Sequence, residues 1–221
     1  GKAVVIPQTS SYYKVTSSLT MSGAEQALLI LGRVKLVTAS TSTDLLVASG
    51  AHQRIHGSGI LEGPGVYKDN TVGVGIASLI RIQGKGSTVE GIELREPVES
   101  GVTLDTVDSC SVRSVRIVGG IGAYGSSQHY GILAYTCNDL TIQGCHFEPS
   151  AGGGAVVQAI NTVSCARVSI SGCVARGCWE KFLYGQGTDM SVVGNQFAGI
   201  TGNQGDCLRV IGDRNVVVGN V

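Results

Sequence analysis

Apolar and polar positions alternate in a short pattern that recurs along most of the chain. The segments Ser87–Leu94, Cys110–Ile117, Leu140–Phe147, Val168–Ala175 and Met190–Phe197 align on the pivots Gly91, Ser114, Gly144, Gly172 and Gly194. A shorter sixth copy, Val216–Val221, pivots on Gly219. Two residues before each pivot stand Val89, Val112, Ile142, Ile170, Val192 and Val217, and three after stand Leu94, Ile117, Phe147, Ala175 and Phe197. Polar residues fill the places between, as a strand with one buried face requires. Glycine at five of the six pivots predicts a bend with positive φ or a close backbone approach.

A second strand is predicted about a dozen residues upstream of each pivot, at Leu79–Ile82, Gly101–Leu104, Gly131–Ala134, Lys181–Tyr184 and Cys207–Val210, with a weaker copy at Ala159–Thr162. Two strands per irregular turn of 22 to 30 residues describe a solenoid rung. The unequal periods argue against helical repeats, and no gap between strands holds an amphipathic helix. The expected fold is all-β, a right-handed parallel β-helix forming one domain. Residues 1–50 are its opening and first irregular rungs, and 51–221 its regular rungs. The pattern stops in mid-repeat at Val221, so a longer parent chain is expected.

Composition agrees with this reading. The 221 residues include 33 Gly and only 4 Pro, with few aromatics and many β-branched residues. Sixteen Lys and Arg balance sixteen Asp and Glu and are scattered, which argues against nucleic acid as a partner. No apolar run is long enough for a membrane-spanning helix, so no membrane insertion is expected. The seven cysteines contain no CxxC pair, so neither a zinc site nor a secreted disulfide framework is expected. No cofactor or metal is implied. The residues following the pivots are Ile92, Val115, Cys145, Cys173, Asn195 and Asn220. This column predicts an asparagine ladder, with Cys145 and Cys173 packed in it as small buried hydrophobes.

The units Tyr130-Gly-Ile…Leu140-Thr-Ile-Gln-Gly-Cys-His-Phe147 and Asp206-Cys-Leu…Val216-Val-Val-Gly-Asn220 resemble the parallel β-helix repeat of pectin-degrading enzymes and phage tailspikes. The opening Val4-Val-Ile-Pro7…Tyr13-Lys-Val15 is similar to the start of tailspike β-helices, although Gln8–Ser11 stand where that pattern has Pro-Gly. The resemblance implies a tailspike or tail-fibre part that recognises, and in some members depolymerises, bacterial capsular or O-antigen polysaccharide. It also implies a homotrimer in the full-length protein and a place on the virion tail, assembled in the host cytoplasm and working outside cells. A non-catalytic adhesin or structural spacer, and a carbohydrate-active enzyme from another source, remain open alternatives, since this scaffold hosts many activities. The calcium-binding Asp cluster of pectate lyases and the Asn-Thr-Asp, Asp-Asp and Gly-His-Gly signatures of polygalacturonases are absent.

In such a fold the core is filled, so chemistry falls to outward side chains and to the longest loops. These loops recur at one place in each rung and carry Tyr67, Asp69, Tyr124, His129, Tyr130 and Trp179, a set of rings and polar groups suited to binding sugars. Glu180 and Asp206 each precede the first inward apolar residue of their strand by two, at Phe182 and Leu208. Equivalent columns on successive rungs would put these carboxyls about 5 Å apart, near the spacing of a retaining glycosidase pair. Each is also readable as a turn-capping residue, a common role for an acid at that place in such repeats. Glu148 is a third acidic candidate, or the partner of Arg176 in a surface ion pair. A lyase would instead use His129 and Tyr130 as base and acid.

Overall fold

The computed structural model describes residues 2–37, 43–63, 78–120, 129–151, 157–178, 180–199 and 206–221. Its strands wind into a coil in which every strand pairs in parallel with the corresponding strand of the next turn. The first turn comprises Ala3–Ile6, Tyr12–Val15 and Leu19–Met21; the eighth comprises Ser191–Val193, Gln196–Ala198 and Leu208–Ile211. Val216–Val218 begins a further turn. Each turn thus has three strands, where alternation alone suggested two. The difference lies at the pivots: residues 91, 114, 144, 172, 194 and 219 have φ of 74°, 51°, 61°, 61°, 64° and 63°, and each splits its segment between two faces. A Cβ added at Gly172, Gly194 or Gly219 would meet nothing within 4 Å, so backbone conformation and not crowding calls for glycine there.

The first face carries the strands before the pivots, the second those after them, and the third the predicted upstream strands. Val89, Val112, Ile142, Ile170 and Val192 stack in register on the first face and are fully buried. Leu94, Ile117 and Phe147 do the same on the second, and Ile80, Val102, Ile132, Ile160 and Leu183 on the third. Burial of each such side chain contributes roughly 1.5–3 kcal/mol. One 14-residue strand, Gln158–Ser171, runs round a corner, so its first half lies on the third face and its second half on the first.

The corners satisfy backbone groups that no strand pairing reaches. Cys173 N–H donates to Asn195 Oδ1 at 2.9 Å and Asn195 N–H to Asn220 Oδ1 at 3.0 Å, which is the predicted ladder. Cys145 and Cys173 lie buried in the same column, where the Cys145 thiol donates to the Val112 and Gln143 carbonyls and the Cys173 thiol to that of Ser171, each at 3.6 Å. A parallel column at another corner has Cys137 N–H donating to Cys165 Sγ at 3.4 Å. The Cys165 thiol therefore acts as an axial acceptor as well as a buried hydrophobe, and six of the seven cysteines are buried.

The second face carries an ion-pair network. Glu62 is bound by Arg33 and Lys35, and Arg116 bridges Glu93 and Glu148 at 2.8 and 2.7 Å. Burial alone would raise the carboxyl pKa of Glu62 and Glu93, but hydrogen bonds and charge from the adjacent cations outweigh it and lower both.

Candidate functional site

Connections from the second face to the third leave after Glu62, Arg95, Val118, Glu148, Arg176 and Ala198 and return at Ser78, Ser100, Tyr130, Gln158, Lys181 and Leu208. The return points line up along one edge of the third face. Its inward residues alternate with an outward row of Arg81, Thr103, Leu133, Asn161, Tyr184 and Arg209, aligned in register across six turns. Beside that row runs another of Ser78, Ser100, Tyr130, Gln158 and Lys181.

These outward side chains are far less exposed than a solenoid surface would suggest. Thr103 and Leu133 are fully buried, and Gln158, Asn161 and Lys181 are 7%, 7% and 5% exposed. At the N-terminal end Ser78, Ser100 and Thr103 form a hydroxyl cluster with contacts of 2.6–3.0 Å. Asp44 braces it by accepting from Ser78 N–H at 2.6 Å and from Arg81 at 2.7 Å. Further along, Asn161 Nδ2 donates to Gln158 Oε1 at 2.8 Å and Gln158 Nε2 donates to Glu180 Oε2 at 3.2 Å. The Arg209 guanidinium lies over the Tyr184 ring, 5.7 Å from its centroid. Tyr130 and Tyr135 stand between the two groups of polar side chains.

The sequence-derived candidates fall unevenly on this surface. Glu180 joins it through Gln158. His129 is buried, and its Nδ1 lies 2.7 Å from the Val98 carbonyl; because a carbonyl only accepts, that nitrogen is the donor. Burial pushes the Tyr130 phenol up to about 12, and Tyr135, Glu180 and Glu99 add to the shift, so Tyr130 keeps its proton at ordinary pH. Tyr67, Asp69, Tyr124 and Trp179 lie outside the described residues.

Two expected geometries need correction. Glu180 and Asp206 do not share a column: Leu183 pairs with Leu208, which carries back to Lys181 opposite Asp206. The reason is Phe182. It points into the core at the corner where Gly101, Gly131 and Ala159 stand in earlier turns, and it stacks on Phe197 with ring centroids 5.3 Å apart. Phe182 and Leu183 are both fully buried, so simple alternation gives the wrong phase. Glu148 ends a second-face strand instead of sitting on a loop, and its partner is Arg116, not Arg176. Lys181, Gln158, Asn161 and the Ser78–Ser100–Thr103 cluster escaped notice in the sequence. Only their alignment in adjacent turns marks them, and that needs the third-face register. Among the described residues no cluster of His, Cys, Asp and Glu could hold a metal ion.

No family model matches the chain, and no curated protein matches its sequence. Solved structures do. A surface adhesin of Streptococcus pneumoniae, PfbA, superposes with a TM-score of 0.67 at 12% identity, covering 88% of this chain and 58% of that one. The tailspike of Escherichia coli bacteriophage HK620, solved as a double mutant in complex with a pentasaccharide, superposes at 0.68 with 17% identity, covering 99% of this chain and 43% of that one. The fold is a parallel β-helix. This β-helix spans between 38% and 58% of the length of those two proteins' chains. At such identities the likeness is one of fold, and the chemistry rests on the side chains described above.

Proposed function

We propose that this chain is the glycan-recognising β-helix of a tailspike-like or adhesin-like protein, with bacterial capsular or O-antigen polysaccharide as its partner. The observation that carries the reading is the outer third face. There, the partly exposed rings of Tyr130, Tyr135 and Tyr184 stand among buried Ser, Thr, Asn and Gln side chains that hydrogen-bond one another. Sugars present hydroxyls and apolar C–H faces together, and fixed polar groups beside aromatic rings match both. The tailspike neighbour solved with a pentasaccharide supports the same class of ligand. A trimeric parent protein and a place on the virion tail belong to this proposal.

Binding is favoured over cleavage because Glu180 and Asp206 are one residue out of register, which removes the axial stacking on which a retaining pair was inferred. Cleavage by Glu180 with Asp206, with Glu148, or by His129 with Tyr130 is the second reading. A panel of capsular and O-antigen oligosaccharides tests both: binding without new reducing ends supports recognition alone. New reducing ends with unsaturated-uronate absorbance indicate a lyase, and reducing ends alone a hydrolase. Absence of binding across such a panel counts against the proposal.

A further inference from the structure

The corner between the first and second faces is built differently in the first turn. Two residues join those faces in the next turns, Leu31–Gly32 and Ser58–Gly59, whereas the longer segment Pro7–Ser11 joins them in the first. The turns stack closely here. A Cβ at Gly32 would stand 2.3 Å from the Pro7 carbonyl oxygen, and one at Gly59 would stand 2.4 Å from that of Gly32. Backbone therefore forms the floor of this corner, with Leu31 beside it. The longer connection stands against it as a lip, in which Thr9 Oγ1 donates to the Ser11 carbonyl at 3.0 Å. Between lip and floor lies an open groove of about 460 Å³, within the roughly 300–1,000 Å³ usual for ligand clefts.

The lining combines hydroxyl, apolar and charged groups, all open to solvent. Gln8, Ser10 and Ser58 are exposed polar side chains. Tyr12 and Leu31 offer apolar surface at 36% and 39% exposure, and the Arg33 side chain is 39% exposed. Arg33 and Lys35 lie 5.7 and 5.9 Å from the centroid of the Tyr12 ring, and both bind Glu62. Lys14 pairs in register with Lys35, so three cations share that one carboxylate. Glu93, the next acid along the second face, is already held by Arg95 and Arg116. Positive charge is thus left over beside the groove, on a chain whose formal net charge is zero. Arg33 holds Glu62 through Nε and Nη2, which leaves Nη1 for another acceptor.

We propose that this groove is a second carbohydrate site, specific for an acidic sugar. The sugar carboxylate faces Arg33, its ring lies on Tyr12 and Leu31, and its hydroxyls meet Gln8, Ser10 and Ser58. The inference takes its ligand class from the glycan-recognition reading but not its place, because the groove lies at a corner that the third face does not share.

The test titrates the ¹⁵N-labelled chain with methyl glucuronide and, separately, with methyl glucoside, which share a ring and differ in charge. The glucuronide should shift the amides of residues 8–12, 31–33 and 58–60. It should bind about fivefold more tightly than the glucoside, the scale of one exposed charge pair, and the margin should shrink as salt is raised. Arg33→Gln should bring the two probes to equal affinity, with Lys35 still holding Glu62. Ser58→Tyr fills the groove from an exposed position outside every ion pair, and should abolish the shifts at residues 8–12 and 31–33. Equal affinity of the two probes for the unaltered chain, or a glucuronide preference that survives Arg33→Gln, would overturn the inference. If Arg33→Gln does not fold, Ser58→Tyr decides: lost binding supports the site and unchanged binding overturns it. Shifts confined to the third face would overturn this site and leave glycan recognition standing. No shift with either probe also overturns it, and the oligosaccharide panel then decides the broader reading separately.

Discussion

Replacing Asn195 gives a graded test of the corner ladder. Asn195 is fully buried; its Oδ1 accepts Cys173 N–H at 2.9 Å, and its Nδ2 donates to the Ile170 carbonyl at 3.1 Å and to Asn220 Oδ1 at 2.9 Å. Asn195→Ala removes all three bonds and leaves Cys173 N–H buried without an acceptor. An unsatisfied buried group costs about 1–3 kcal/mol and each lost bond about 1 kcal/mol, so the variant should lose roughly 3–5 kcal/mol. Asn195→Cys should lose about half as much, because Cys165 accepts an axial N–H in the same way in the parallel column at another corner. Urea unfolding, followed by far-ultraviolet circular dichroism and by fluorescence, gives both values. Equal losses for Ala and Cys would refute the idea that a thiol serves as an acceptor there. A loss under about 1 kcal/mol for Ala would refute the ladder's energetic role.

Three further outcomes follow from the same geometry. Ser114 is the one pivot that is not glycine and sits at φ 51°, so Ser114→Gly should stabilise the chain by about 0.5–1 kcal/mol in the same unfolding assay. Thr162 is fully buried with no partner for its hydroxyl among the described residues, so Thr162→Val should be neutral or stabilising by up to about 1 kcal/mol, and clear destabilisation would mean the hydroxyl is bonded. The Glu62 and Glu93 carboxyls titrate below their unfolded value. The stability they contribute is therefore complete above that value, near pH 4.5, and is lost as pH falls through the lower folded values. Thermal melts between pH 3 and 6 should show this loss, and it should be blunted in a Glu62→Gln, Glu93→Gln double variant.

The stacking of turns was legible in the sequence because a buried inward column repeats the same apolar type at each pivot, as Val89, Val112, Ile142, Ile170 and Val192 do. The asparagine ladder was legible too, since Asn195 and Asn220 hold one place in their repeats. The third strand of each turn was hidden, because the break in phase at the pivot, from Val89 to Ile92, falls inside so short a segment that the two strands read as one. The phase of Lys181–Thr188 was hidden for a different reason. Phe182 occupies a corner where earlier turns have glycine or alanine, and two successive inward residues mimic a register shift. The candidate site depends on that phase. A one-residue error sets Glu180 beside Asp206 and conceals the alignment of Gln158 with Lys181. Polar contacts made across turns, such as Asn161 with Gln158 and Gln158 with Glu180, depend on side-chain direction and leave no periodic mark.

On the proposed function, the outer third face, among the three faces of the coil, receives the glycan. Hydrogen exchange of the intact chain with and without a bound O-antigen or capsular oligosaccharide tests it most directly. Protection concentrated in Ser100–Asp105, Tyr130–Tyr135, residues 158–163 and Lys181–Thr188 is the predicted result. Protection centred instead on the second-face strands Glu93–Arg95, Arg116–Val118 and His146–Glu148 would contradict it.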